Sequence, residues 1–159
     1  MPEARLALPS DEDALLDILT QNHAENGIGP LSAGLVKRAI REGTRARGAI
    51  IGVVDGDNEI AGTVGLVFDS WWYSDPTDPG ATLLRDRWVY VRHAYRDGEC
   101  FDALWKFATN AADEMSREMG RPIPLLMGVM ATDRVEAKLR LYSRRLPLAG
   151  GAFLYRPEV

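Results

Sequence analysis

The run Trp88-Val89-Tyr90-Val91-Arg92-His93-Ala94-Tyr95-Arg96-Asp97-Gly98-Glu99-Cys100-Phe101 holds the residues best placed to do chemistry. Its apolar beginning reads as a buried strand. A short basic turn follows, and the turn opens into a long amphipathic segment. A strand that empties into a helix start presents backbone N–H groups with no partner inside the helix, and the helix dipole adds positive potential there. That combination binds phosphate groups. Gly98 would let a ligand approach the backbone closely, and Arg92 and Arg96 supply cationic charge. Glu99 acts in the opposite sense: a first-turn carboxylate complements the dipole, but it also competes with a phosphate for the same amides. Cys100 lies where a helix start lowers a thiol pKa, although a small buried residue is the plainer reading.

Composition bounds the alternatives. The chain has 159 residues, of which 46% are hydrophobic and 26% charged, which fits one soluble globular domain over residues 1–159. No apolar run approaches the roughly 18 residues of a membrane span, and the acidic start lacks a signal-peptide pattern. A cytoplasmic protein without a membrane partner is therefore expected. The net charge of −4 argues against non-specific nucleic-acid binding, despite a basic segment with Arg134, Lys138, Arg140, Arg144 and Arg145. A single cysteine excludes an intramolecular disulfide, and two histidines, His23 and His93, leave little for a metal centre, so no metal is expected.

The elements that must position the central turn can be read from periodicity and punctuation. Ala4 to Leu8 reads as a short strand stopped by Pro9, and Ser10 with Asp13 as a capping box opening a helix. That helix runs to His23-Ala24-Glu25-Asn26-Gly27, and Pro30 and Ser32 start a second one. Ala49 to Val54 and Ile60 to Phe68 are strands joined by the hairpin turn Asp55-Gly56-Asp57-Asn58. Residues 69–82 form a loop carrying Trp71, Trp72 and Tyr73, an aromatic cluster suited to a contact role. A strand over about Leu83 to Arg92 follows. Phe101, Leu104, Trp105, Ala108, Ala112, Met115 and Met119 recur at helical spacing, stopped by Gly120 and Pro122. Pro124 to Met130 reads as a strand, Val135, Leu139, Tyr142 and Leu146 as the stripe of a last helix, and Gly150 to Tyr155 as a closing strand. The fold class is α/β in the α+β sense, in the order β-α-α-β-β-β-α-β-α-β.

This order, with its central strand–turn–helix, resembles the GNAT acyl-CoA N-acyltransferases, whose mixed, mostly antiparallel central sheet is flanked by helices. The resemblance in sequence concentrates in Ala94-Tyr95-Arg96, Ala103-Leu104, Phe107-Ala108 and Ala137-Lys138-Leu139-Arg140-Leu141-Tyr142. The opening with His23-Ala24-Glu25-Asn26-Gly27 is similar to a branch of small bacterial and phage members. In the superfamily the central turn reads Gln/Arg-x-x-Gly-x-Gly/Ala and holds the coenzyme A pyrophosphate. Two registers fit here. Without gaps, Arg96 takes the first position and Glu99 stands where the glycine belongs. Shifted by one, Tyr95-Arg96-Asp97-Gly98-Glu99-Cys100 restores the glycine and ends on a small residue. The second register gives Gly98 a role and is preferred.

The resemblance implies acetyl-CoA as co-substrate and direct transfer of an acyl group, acetyl first among them, to a primary amine of a small molecule or protein, in a ternary complex. It implies a coenzyme contact set of Val89, Tyr90, Val91, Arg96, Asp97, Gly98, Glu99, Cys100, Phe101, Thr132 and Ala137. A backbone N–H within Val89 to Val91 would face the oxyanion, and Tyr142 would protonate the departing thiolate. Asp86 is the candidate base, since strand alternation places it with Trp88 and Tyr90 on one face. His23, Glu25 and Asn26 would border the acceptor pocket. The lead-in Asn-x-x-Ala to the last helix is absent, which together with Glu99 favours the alternative of a GNAT-fold binding or assembly module. Homodimers are common in the superfamily, so a homodimer is an expected arrangement.

Overall fold

The structure is a computed structural model that describes residues 2–129, apart from 72, 76 and 97, and residues 135–145. Its order is β1 (Ala4–Leu6), α1 (Glu12–Asn26), α2 (Ala33–Thr44), β2 (Ala49–Asp55), β3 (Ile60–Ser70), β4 (Thr82–Val91), α3 (Glu99–Met119), β5 (Leu125–Leu126) and α4 (Val135–Ser143). The five strands form one sheet in sequence order, antiparallel from β1 to β4 and parallel between β4 and β5. The closing strand expected over Gly150 to Tyr155, and Leu146 of the expected α4 stripe, lie outside the described residues.

Local chemistry explains most boundaries. Ser32 caps α2 by accepting from the Leu35 amide, and Gly120 ends α3 in the left-handed conformation at φ 64°. The start of α1 differs from the Ser10–Asp13 box. A short 3-10 turn over Pro9–Asp11 precedes it, and Asp11 reaches back to the Leu8 amide at 2.7 Å while also pairing with Arg5. Asp11 thus satisfies both a backbone donor and a guanidinium, in place of the Asp13 two residues further in.

Two apolar clusters sandwich the sheet. On one face α3 packs Cys100, Leu104, Ala108 and Ala112 against Val64, Leu66, Leu84 and Val91. On the other, Leu15, Ile18, Leu19 and Ile40 of α1 and α2 cover Ile51, Val53 and Tyr90. The close seating of α3 depends on a missing side chain: a Cβ on Gly62 would sit 2.6 Å from Cys100 Sγ. Cys100 is accordingly a small buried residue, 3% exposed.

The most consequential local feature is a bulge in β4. Gly65 pairs with Trp88, but Leu66 pairs with Asp86, so Arg87 is the extra residue. Directly opposed residues share a face, and side chains alternate along β3. Asp86 therefore lies on the α3 face with Leu66, whereas Trp88 and Tyr90 lie on the other. The core shows the same change of phase, since Leu84 and then Val89 and Val91 all pack on the α3 side. Simple alternation, which put Asp86 with Trp88 and Tyr90, is corrected by this one inserted residue.

Two other expectations change in extent. Among the described residues, the strand expected over Pro124 to Met130 pairs at Leu84↔Leu125 and Arg85↔Leu126. The apolar stripe expected on α4 is buried only in part among the described residues: Val135 and Leu139 are 38% and 43% exposed, while Tyr142 packs against α3. Among the described residues, α4 is fixed by Lys138 to α1 and by Tyr142 and Arg145 to α3.

Candidate functional site

The site begins where β4 and β5 part. No β5 pairing is described past Arg85↔Leu126, while β4 continues to Val91 with β3 on its other side. Alternate residues of an antiparallel strand direct their N–H and C=O away from the partner strand. The stretch Val89, Tyr90, Val91 therefore turns backbone groups toward the side from which β5 has withdrawn. At the parting point Asp86 replaces the backbone pairing: its Oδ1 accepts the Gly128 amide at 2.8 Å. Gly128 is thus a site neighbour that sequence reading missed, and no local signal announces it.

Asp86 is partly buried, and that burial pushes its carboxyl up to about 6, against the pull of the Gly128 amide and the charge of Arg85. Tyr142 lies within its electrostatic reach. Burial, and then the negative charge of Asp86, push the Tyr142 phenol above its ordinary value. The Tyr142 ring is held between Phe101 at 5.6 Å and Trp105 at 5.3 Å, both on α3. The bulge brings the two together, because it turns Asp86 onto the α3 face where Tyr142 packs. Arg87, the residue it extrudes, is taken up by Glu42 of α2 at 2.8 Å.

β4 leads into the turn. Gly98 caps α3 with φ 107°, a conformation that L side chains rarely adopt, and among the described residues beyond its chain neighbours a Cβ built there meets no heavy atom within 4 Å. Glu99 is exposed at the helix start, and Phe101 is turned onto α4, where Arg145 lies over its ring at 5.2 Å. Arg145 also pairs with Asp102 and donates to Leu141 O at 3.0 Å, which sets a cation beside the first turn of α3. Asp97 and Thr132 lie outside the described residues. Ala137 is exposed on α4.

The two arginines that looked alike in sequence have different fates. Arg92 is 7% exposed, donates to Ile60 O at 2.8 Å, and pairs with Asp17 at 2.6 Å and Glu59 at 3.0 Å. It is a buried tie between strands and α1, not a partner for a ligand at the turn. Arg96 stays at the surface. Its Nε donates to Val91 O at 2.8 Å and its Nη2 to Glu25 at 2.5 Å. Glu25 also accepts from Tyr90 Oη at 2.6 Å. Burial alone would raise the Glu25 pKa, but the bonds from Arg96 and Tyr90 outweigh it and hold the carboxyl below its ordinary range. Asn26, next along, accepts from Lys138 Nζ at 2.6 Å, while His23 contacts Gly29 O at 2.9 Å. The end of α1 thus touches both the turn and α4. In the aromatic loop, Trp71 and Tyr73 stack at 6.1 Å.

Comparison with known proteins agrees with this geometry. No family model matches the chain, and no curated protein matches it. Solved structures do. A ribosomal-protein-alanine N-acetyltransferase from Brucella melitensis biovar Abortus 2308 is 15% identical, with 99% of this chain and 100% of that chain covered at a TM-score of 0.69. An aminoglycoside antibiotic 6'-N-acetyltransferase from Acinetobacter haemolyticus is 12% identical, with 99% of each chain covered and a TM-score of 0.69. A predicted acetyltransferase from Clostridium acetobutylicum, solved with acetyl-CoA, is 15% identical, with 98% of this chain and 96% of that chain covered at 0.66. The chain has the GNAT fold, a mixed sheet of mostly antiparallel strands flanked by helices.

Proposed function

We propose that this chain is an acetyl-CoA-dependent N-acetyltransferase that moves the acetyl group directly to a primary amine, of a small molecule or a protein, within a ternary complex. The observation that carries the reading is the Asp86–Tyr142 pair at the point where β4 and β5 part, reached along β4 from a glycine-capped helix start. The likeness in fold to acetyltransferases, one of them solved with acetyl-CoA, supports it.

The residues suit the coenzyme in their chemistry. Amides at Gly98, Glu99, Cys100 and Phe101, with Asp97 beside them, would hold the diphosphate at the positive end of α3. Arg96 and Arg145 would add charge from either side. Val89, Tyr90 and Val91 would pair with the pantetheine arm as an added strand would, Ala137 would border it from the α4 side, and Thr132 joins the contact set on the resemblance. Bound there, acetyl-CoA supplies an acetyl group activated as a thioester.

Two proton movements fall to the protein. An alkylamine with a pKa of about 10.4 carries its proton at neutral pH, and the lone pair is available only once that proton leaves. Asp86, ionised above about pH 6, takes it directly or through one water. Tyr142 is neutral at that pH and holds a proton for the departing sulfur, and the second proton that leaves the nitrogen as the amide forms restores the phenol. Burial, and then the charge of Asp86, hold the proton on Tyr142, so neutralising Asp86 makes the phenol a somewhat better acid. A backbone N–H of the Val89–Val91 stretch faces the negative charge that builds on the carbonyl oxygen.

The test is direct. The protein is incubated with acetyl-CoA and a panel of small primary amines and N-terminal peptides, and thiol release is measured beside acetylated product. Stoichiometric release and acetylation with at least one amine is expected; no transfer, with no coenzyme binding, overturns the reading.

A further inference from the structure

Arg96 stands in the coenzyme turn, two residues before Gly98, yet its guanidinium already has an anion. The Nε–H donates to Val91 O at 2.8 Å and anchors the head against the end of β4, while Nη2 donates to Glu25 Oε2 at 2.5 Å. The head also lies 5.4 Å from the centre of the Tyr90 ring, and the Tyr90 hydroxyl donates to the other Glu25 oxygen at 2.6 Å. A carboxylate from the end of α1, 71 positions away in sequence, is thus held on the arginine of a phosphate-type turn. Both side chains keep solvent contact, at 36% and 41% exposure, so the pair can exchange partners.

From this arrangement we infer that Glu25 competes with the coenzyme diphosphate for Arg96 and so sets the affinity for the coenzyme; the inference rests on the acetyl-CoA reading above. A diphosphate offers more charge and more acceptor oxygens than one carboxylate, and it also gains the α3 helix start. It therefore displaces Glu25 while the Nε–Val91 bond keeps the guanidinium in place. The cost of breaking the Glu25–Arg96 pair is subtracted from coenzyme binding. Glu25 is a positioning residue here, acting through Arg96 and not on the reacting atoms.

The test is calorimetric titration of the wild type and Glu25→Gln with coenzyme A, ADP and pantetheine. Glu25→Gln binds coenzyme A and ADP about two- to five-fold more tightly, the factor that a solvent-exposed ion pair corresponds to. Pantetheine, which lacks the diphosphate, binds both proteins equally. Glu25→Asp, which keeps the charge but shortens the reach, shows part of the gain. Arg96→Gln weakens coenzyme A binding and abolishes the gain in the double variant. Unchanged or weaker coenzyme A binding by both Glu25 variants overturns the competition, as does an equal gain for pantetheine, which would mean a general loosening of the cleft. A wild type that binds coenzyme A while the Glu25 variants show no gain removes this inference alone. A wild type that binds none removes the acetyl-CoA reading and the inference with it.

Discussion

Replacing Asp86 with asparagine separates what the carboxylate does for chemistry from what it does to stability, and the two effects run in opposite directions with pH. Burial raises the Asp86 pKa from 3.8 to about 6. Below the lower value both folded and unfolded chains carry the proton, and ionisation costs the fold nothing. Between the two, the unfolded chain has lost its proton and the folded chain keeps it, so stability falls as pH rises. Above about 6 the full penalty applies. Its upper bound is about 3 kcal/mol, and partial solvent contact reduces the working figure to about 1–2 kcal/mol. The amide oxygen of asparagine can still accept from Gly128, so the bond at the parting point survives. Asp86→Asn should therefore melt about 2–8 °C higher than the wild type at pH 8, and the difference should vanish near pH 4. Over the same range the wild-type kcat/KM should rise tenfold per pH unit below about 6 and level off above it. The variant should lack that limb and fall about 10²- to 10⁴-fold at the plateau. Thermal melts in a pH series and initial-rate pH profiles supply the readouts. A variant less stable than the wild type at pH 8, or one retaining the acid limb, would refute the assignment of Asp86 as a buried base.

Two further substitutions probe the rest of the site. Tyr142→Phe keeps the ring packed on Phe101 and Trp105 and removes only the hydroxyl; kcat should drop while the Kd for coenzyme A and the melting temperature stay nearly constant. Gly98→Ala meets no atom of the described residues beyond its chain neighbours, so its expected cost is that of the backbone, about 1–2 kcal/mol for a positive φ, seen in urea unfolding. The same substitution should weaken coenzyme A binding, because relaxing the strain reorients the first amides of α3.

The features legible in the sequence are those set by near neighbours. Ser32 marks the start of α2 and Gly120 the end of α3, because caps act within a few residues. The hairpin at Asp55-Gly56-Asp57-Asn58 and the spacing of Leu104, Ala108 and Ala112 are equally local. What escaped depends on distant partners. Arg87 is extruded by the fit of β4 to β3 and received by Glu42 of α2, and no glycine or proline announces it. One consequence was an error of face for Asp86. The charged run Arg85-Asp86-Arg87 in an otherwise apolar strand was the available signal. Arg92 and Arg96 are indistinguishable by type and spacing; only the positions of Asp17, Glu59 and Glu25 divide them into a buried tie and a surface cation. Thr132 and Asp97 lie outside the described residues, so their places in the coenzyme set rest on the resemblance.

Amide hydrogen exchange with and without coenzyme A addresses the central claim most directly, because it reads the backbone groups on which that claim depends. Slower exchange should concentrate in two stretches, residues 89–91 along β4 and residues 98–101 at the start of α3, while β1 and β2 stay unchanged. No change in either stretch at saturating coenzyme A, or protection confined to another surface, would contradict a coenzyme seated between the parted strands and the glycine-capped helix.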